Sequence, residues 1–272
     1  MAYEYIERFK KLGFGLFCHF GLYSTQGIGE WASHVYQVDR KEYNKQIANF
    51  NIAEDWAKQL VATAKSAGCK YVTLTTRHHE GFSLFDTCGL NDFDAPHSAC
   101  KRDLVREFVD ACNAEDIVPF FYHTLLDWYN PDYTENFPKY IDYLIASVEI
   151  LCKNYGKIGG LWFDGFWDKP DADWQFDRLY ATIRKYQPEA MIMRFKLYDI
   201  GFSAINQEIV ALGVLATTAT NGNVTYKYSS LPTGVTYRDN ARSMAYVAAA
   251  TLNAQALGMA NHSADYVAVL KG

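Results

Sequence analysis

The sequence predicts an α/β fold built on a parallel sheet, and three observations carry that prediction. Short apolar runs alternate with helix-like segments through the first 192 residues. The runs are continuously apolar rather than alternating, as strands covered on both faces are. Four consecutive runs then end in polar or ionisable side chains. A chain of 272 residues fits one or two domains, or a single α/β barrel. Apolar residues at 49% and charged residues at 21% exclude disorder over the whole chain. A net charge of −5 gives no electrostatic footprint for nucleic acid.

The elements follow in order. Residues 14–20 (FGLFCHF) read as a buried strand. Residues 54–67 (EDWAKQLVATAKSA) place apolar side chains at helical spacing, and Gly68 is the stop signal. Residues 71–76 (YVTLTT) are rich in β-branched side chains and form the next strand. A helix over 102–114, a strand over 117–124, a helix over 140–154 and a strand over 159–164 come next. A helix over 173–186 and a strand over 190–195 complete five β units. Joined by right-handed crossovers, they make either a doubly wound sheet or the first part of a (β/α)8 barrel. The dinucleotide alternative wants G-x-G-x-x-G at the first strand–helix turn. Gly13 and Gly15 lie before or inside the strand instead.

The character of the chain changes near residue 192. All cysteines and tryptophans lie at or before Trp174, and the net charge is −7 up to Ile192 and +2 beyond it. The division is therefore a 1–192 barrel portion and a 193–272 tail that either completes the barrel or is unrelated. In the tail we expect a helix or strand over 206–216, a short strand over 223–229 and an Ala-rich helix over 238–260. The start, MAYEYIERFKK, has no apolar h-region, and the run 244–260 is too polar and too short to span a bilayer. The expectation is a cytoplasmic protein with no membrane or nucleic-acid partner. Six cysteines without CxxC or regular spacing read as reduced, mostly buried thiols.

The strand ends hold the chemistry. The first ends in His19, the second in His78, His79 and Glu80, the third in Tyr122 and His123, and the fourth in Asp164. In a barrel these ends face one mouth. A carboxylate after Leu161-Trp162-Phe163 is costly unless paired or used, so Asp164 reads as a nucleophile or base walled by Trp162, Phe166 and Trp167. His78 and His79 are strand neighbours and reach one ligand only if the chain turns, which Gly81 would permit. Glu30-Trp31 and Asp127-Trp128 each set an acid beside an indole, an arrangement suited to holding a sugar. A metal-dependent alternative would use His19, His78 and Asp164 as zinc ligands, although barrel metal sites usually want HxH rather than HH.

Taken with the motifs FGLFCHFGLYS (14–24), EW (30–31), YVTLTTRHHEGFSLFD (71–86), RDLVREFVDAC (102–112), FFYHTLLDW (120–128) and GLWFDG (160–165), residues from about 8 to 192 resemble the retaining α-L-fucosidases of glycoside hydrolase family twenty-nine. The resemblance implies a (β/α)8 TIM-like barrel, here incomplete or atypical after the fifth strand, with no metal or organic cofactor. It implies that His19, Glu30, Trp31, His78, His79 and Tyr122 contact fucose and that Asp164 is the nucleophile; the acid–indole pair and the aromatic wall add Trp128 and Trp162 as substrate-binding residues. The implied substrate is a fucose-containing oligosaccharide or glycoside. Beyond Ile192 the resemblance stops. The general acid/base would come from the tail, where Glu208 is the best of four carboxyl groups. The other reading is a fucose-binding remnant or a truncated or chimeric product that lacks the acid.

Overall fold

The computed structural model describes residues 4–194, 217–220 and 223–226. The chain divides into two units, Met1–Phe195 and Lys196–Gly272, which are taken separately. The first unit contains five parallel strands, β1 (Gly15–Cys18), β2 (Tyr71–Arg77), β3 (Val118–Thr124), β4 (Gly160–Asp164) and β5 (Met191–Arg194), in the order β1-β2-β3-β4-β5. A doubly wound sheet reverses its strand order at a switch point, whereas a barrel runs in sequence. The observed order is sequential. The fold is thus an α/β fold with a parallel sheet wound in sequence, five strands in this sheet among the described residues.

Five helices frame the sheet: α1 (Glu4–Leu12), α2 (Trp56–Ser66), α3 (Leu104–Ala114), α4 (Phe137–Asn154) and α5 (Phe176–Tyr186). Their apolar stripes explain why they form and where they pack. Helix α2 buries Ala57, Val61 and Ala64, and α4 buries Tyr140, Ile141, Leu144, Ile145, Val148 and Leu151. One face of the sheet meets this layer through Val72, Leu74, Phe121, Leu161 and Phe163, all buried. Each such side chain contributes about 2 kcal/mol relative to exposure. The other face carries Phe17, Tyr71, Phe120, Tyr122 and Trp162, and Phe9 of α1 packs on Tyr71 and Phe120 at its lower end.

The expected helices are present, with starts shifted for local reasons. Asp103 accepts from the Arg106 amide, so α3 begins at Leu104 rather than 102. Asn136 accepts from the Lys139 amide and Pro138 suits a first turn, so α4 begins at Phe137 rather than 140. Gln175 takes φ +48° and Trp174 turns into the core, which delays α5 to Phe176.

In the second unit Thr217–Thr220 (β6) and Asn223–Tyr226 (β7) pair antiparallel. The expected strand over 223–229 is met in part by β7. The expected elements over 206–216 and 238–260 lie outside the described residues. None of the six cysteines is in a disulfide; Cys69, Cys112 and Cys152 are buried, Cys18 and Cys100 half-buried, and Cys88 exposed. No helix among the described residues is long and apolar enough to cross a membrane.

Candidate active site

The site begins where β1 lets go of the ladder. β1 ends at Cys18, and the backbone of Phe20 is caught by a side chain instead: the Phe20 amide donates to Thr75 Oγ1 (2.9 Å), which donates to the Phe20 carbonyl (2.7 Å). That hydroxyl has one proton, so Tyr23 O–H donates to Thr75 Oγ1 at 3.2 Å. The clamp holds His19 beside the end of β2, with its ring 5.5 Å from those of His78 and Tyr122.

β2 shifts register between Thr75 and Arg77, a bulge of the kind that re-aims side chains near functional sites. The next four residues turn tightly, the Gly81 amide donating to the His78 carbonyl (3.0 Å). Gly81 has φ +84°, and a Cβ there would lie 2.9 Å from both Asp127 carboxyl oxygens, so glycine alone fits. The turn answers the adjacency problem: the His78 and His79 rings lie 4.2 Å apart on one side of the chain.

Asp164 ends β4. Tyr122 O–H donates to its Oδ2 (3.0 Å), and the Gly165 amide donates to its Oδ1 (2.7 Å). Gly165 sits at φ +92°, and a Cβ there would lie 2.5 Å from Leu126 Cβ. The tight loop thus aims an amide at the carboxylate. His79 Nε2 is 3.7 Å from Oδ2, and a quarter of the Asp164 side chain remains open to solvent.

Aromatic rings wall the opening. Trp31 stacks on Trp167 at 5.6 Å and meets Trp128 edge-on at 5.1 Å. Trp128 stacks on His34 at 4.8 Å and lies 5.3 Å from His79. Trp162 stands edge-on to Phe17 at 5.7 Å, one alternation below Asp164 on β4. Glu30, beside Trp31, is buried, and its Oε1 has no hydrogen-bond partner.

Burial sets the protonation states. Desolvation lowers His19 and His79 to about 4 against the pull of Asp164, and takes His78 well below the usual histidine range. All three imidazoles are neutral near pH 7. Thr124 O–H donates to the Leu126 carbonyl (2.6 Å), so at its 2.6 Å contact with His79 Nδ1 it must accept. His79 therefore keeps its proton on Nδ1. Its bare Nε2 faces Asp164 Oδ2, two acceptors across a gap that suits a hydroxyl group. Desolvation also raises Glu30 to about 7. One ligand atom each from His19, Glu30 and His78 lies within 4.8 Å of the others. This trio, rather than His19, His78 and Asp164, has the spacing of a ligand group. A carboxyl group that holds its proton up to about pH 7 can donate to a hydroxyl as well as accept from one, and would release that proton on ligating a metal.

A family model described as alpha-L-fucosidase matches residues 1–200. The chain belongs to the alpha-L-fucosidase family. Relatives include the tissue alpha-L-fucosidases of mouse, 29% identical over 205 residues (66% of this chain, 45% of the relative), and of human, 29% identical over 214 residues (66% and 43%). Among solved structures, alpha-L-fucosidase isoenzyme 1 from Paenibacillus thiaminolyticus is 34% identical with a TM-score of 0.66, covering 70% of this chain and 49% of that one. The alpha-L-fucosidase AlfC from Lactobacillus casei, in complex with alpha-L-fucose, is 25% identical with a TM-score of 0.64, covering 70% and 69%. The chain spans less than half the length of the curated relatives it matches.

Of the residues expected in this fucosidase-family site, His19, Glu30, Trp31, His78, His79, Tyr122, Trp128, Trp162 and Asp164 stand at or beside the C-terminal ends of β1 to β4. Glu208 lies outside the described residues. Two readings change, His123 as a strand-end group at the mouth and Asp127 as the acid of an acid–indole pair. His123 points into the helix layer, between Thr76 Oγ1 (3.1 Å) and Ser147 Oγ (3.1 Å). Asp127 does not present its carboxylate to the opening; Oδ1 accepts from the amides of Tyr129 (3.0 Å) and Asn130 (2.9 Å). His34 and Tyr23 join the site without having been anticipated. His34 was legible as the residue one helical turn from Trp31. A cavity of about 380 Å³ lined by Cys152, Lys157, Tyr186 and Gln187 lies at the opposite, N-terminal ends of β4 and β5.

Proposed function

We propose that the protein is an exo-acting alpha-L-fucosidase that hydrolyses terminal alpha-L-fucosides with retention of configuration. The observation that supports it most is Asp164: a carboxylate at a strand end, aimed by Tyr122 O–H and the Gly165 amide, and ringed by neutral histidines. Neutral imidazoles hydrogen-bond sugar hydroxyls without drawing on the charge of the nucleophile. In the first step Asp164 attacks the anomeric carbon, the bond to the aglycone oxygen breaks, and an acid protonates that oxygen. In the second step the same group, now a base, takes a proton from water, which attacks the fucosyl ester and frees Asp164. We assign the acid/base role to Glu208. His19, Glu30, His78 and His79 hold the fucose hydroxyls, and Trp31, Trp128 and Trp162 wall the ring.

Hydrolysis of 4-nitrophenyl alpha-L-fucoside tests the reading. Nitrophenolate leaves with little acid assistance, so the assay probes the nucleophile and sugar subsite. Turnover is expected, with alpha-fucose as the first anomer seen by NMR. Folded protein that binds fucose in calorimetric titration without turnover would instead be a sugar-binding remnant. Two of the buried histidines, His79 and His123, give a contrast. His79→Gln is expected to weaken fucose binding about tenfold, the scale of one lost hydrogen bond to a neutral group. His123→Gln is expected to lower the melting temperature and shift that affinity by less than about twofold. Equal effects on affinity would contradict the outward placement of His123.

A further inference from the structure

We propose that Glu80 is a positioning residue for His78: its carboxyl group pairs with Nδ1 and so decides whether the imidazole offers the sugar a donor or an acceptor. The inference rests on the fucosidase reading of the site. His78 Nδ1 and Glu80 Oε2 are 3.6 Å apart, and both side chains are 1% exposed. That separation is just outside hydrogen-bond range, and a small side-chain rotation closes it. Neither His78 Nδ1 nor either Glu80 oxygen has a hydrogen-bond partner on another residue. Buried polar groups left alone are costly, so two complementary ones side by side pair.

Arg77, the nearby cation, makes no hydrogen bond to Glu80. The guanidinium of Arg77 donates to Ser147 Oγ (3.4 Å) and sits over the Tyr143 ring at 5.0 Å, on the helix side of the sheet. The turn closed by Gly81 instead brings Glu80 back beneath His78. The groups that face Glu80 are Tyr23 and Glu30 from the segment after β1, Tyr43 from the short helix Arg40–Asn44, Arg77 of β2, Tyr122 of β3, and Asp127 and Tyr129 from the loop after β3. Burial raises the Glu80 carboxyl to about 8, with Asp127 and Glu30 adding to the rise and Arg77 opposing it. Below that pH the carboxyl is protonated and donates to Nδ1, so the neutral ring carries its own proton on Nε2. Above it the carboxylate accepts from Nδ1–H, and Nε2 becomes an acceptor.

The tautomer is read directly by 15N NMR of the full chain labelled at histidine, with His78 identified by its loss in His78→Gln. The expected result is an unprotonated Nδ1 at pH 6.5 that becomes protonated by pH 9.5, and no such switch in Glu80→Gln. Glu30 is intact in that variant, so its own titration is separated from that of Glu80. A protonated Nδ1 at pH 6.5, or an unchanged switch in Glu80→Gln, overturns the proposal. In calorimetric titration at pH 6.5, Glu80→Ala is expected to weaken fucose binding about tenfold and Glu80→Gln, whose amide can still donate, to recover all but about threefold. Equal losses in the two variants also overturn it. If wild-type protein binds no fucose while the tautomer switch follows Glu80, the sugar reading fails and the pairing stands.

Discussion

Asp164→Gly is expected to lower turnover of 4-nitrophenyl alpha-L-fucoside by at least about a thousandfold, because removing the proposed covalent nucleophile removes the low-barrier route outright. The fold has little stake in this carboxylate. Its side chain is 25% exposed, and it accepts one phenol and the amide of the next residue. Both donors can turn to water when it goes. The melting temperature of Asp164→Asn is therefore expected to stay within a few degrees of wild type. The glycine variant adds a positive test. It leaves a space that azide can enter, and azide attacks the anomeric carbon from the face Asp164 would have used. The expected product is beta-fucosyl azide, of inverted configuration, at a rate that rises with azide concentration. Retained hydrolysis in Asp164→Gly, or azide without effect in a variant that still binds fucose, would remove Asp164 from the nucleophile role.

The fold was legible because the sequence repeats one physical pattern five times. Each strand is a continuous apolar run and each helix an apolar stripe, and those patterns survive whatever the tertiary contacts do. The position of Asp164 was legible for the same reason: a carboxylate breaking a buried run needs a use. What failed is also particular. Counting His123 as a group at the mouth ignored alternation. Tyr122 and His123 are neighbours on β3, so when one faces the site the other faces the helices. The bond sequence Ser147 O–H to His123 Nε2, His123 Nδ1–H to Thr76 Oγ1 and Thr76 O–H to the Tyr122 carbonyl depends on Ser147 of α4, which lies 24 residues from His123 in sequence. The turn at Gly81 was readable as a permission and not as a geometry. In the tail, Asn221-Gly222 is a strong hairpin signal, and β6 pairs Thr220 with Asn223 across that dipeptide. The reading of a lone strand over 223–229 passed over it.

Asp127 is the place where a functional reading gives way to a structural one, and the expected consequence is large. Its sequence context, an acid beside Trp128, is the same as that of Glu30 beside Trp31. The two carboxyl groups nevertheless have different tasks. Glu30 has an unpartnered oxygen next to His19 and His78. Asp127 is buried, caps the amides of Tyr129 and Asn130, and packs against the Gly81 turn. Burial holds its carboxyl above the usual range, against the opposing pull of the Arg77 guanidinium and the two amides. Arg77 is itself buried, with Nε and Nη2 unpartnered. Asp127→Ala would leave two amides unbonded and remove the carboxylate whose charge acts on the buried Arg77, a loss of about 3–5 kcal/mol at about 1–3 kcal/mol for each unmade bond. For a unit of about 190 residues that corresponds to a fall in melting temperature of roughly 10 °C or more. Asp127→Asn keeps an oxygen for both amides and is expected to lose about half as much. Replacing Arg77 as well, in Arg77→Met with Asp127→Asn, is expected to cost less than the two single changes added together, because each single change strands the other partner. Thermal melts of the four proteins decide it. Additive losses would mean that Arg77 and Asp127 are independent. A stable Asp127→Ala with weakened fucose binding would return Asp127 to the sugar.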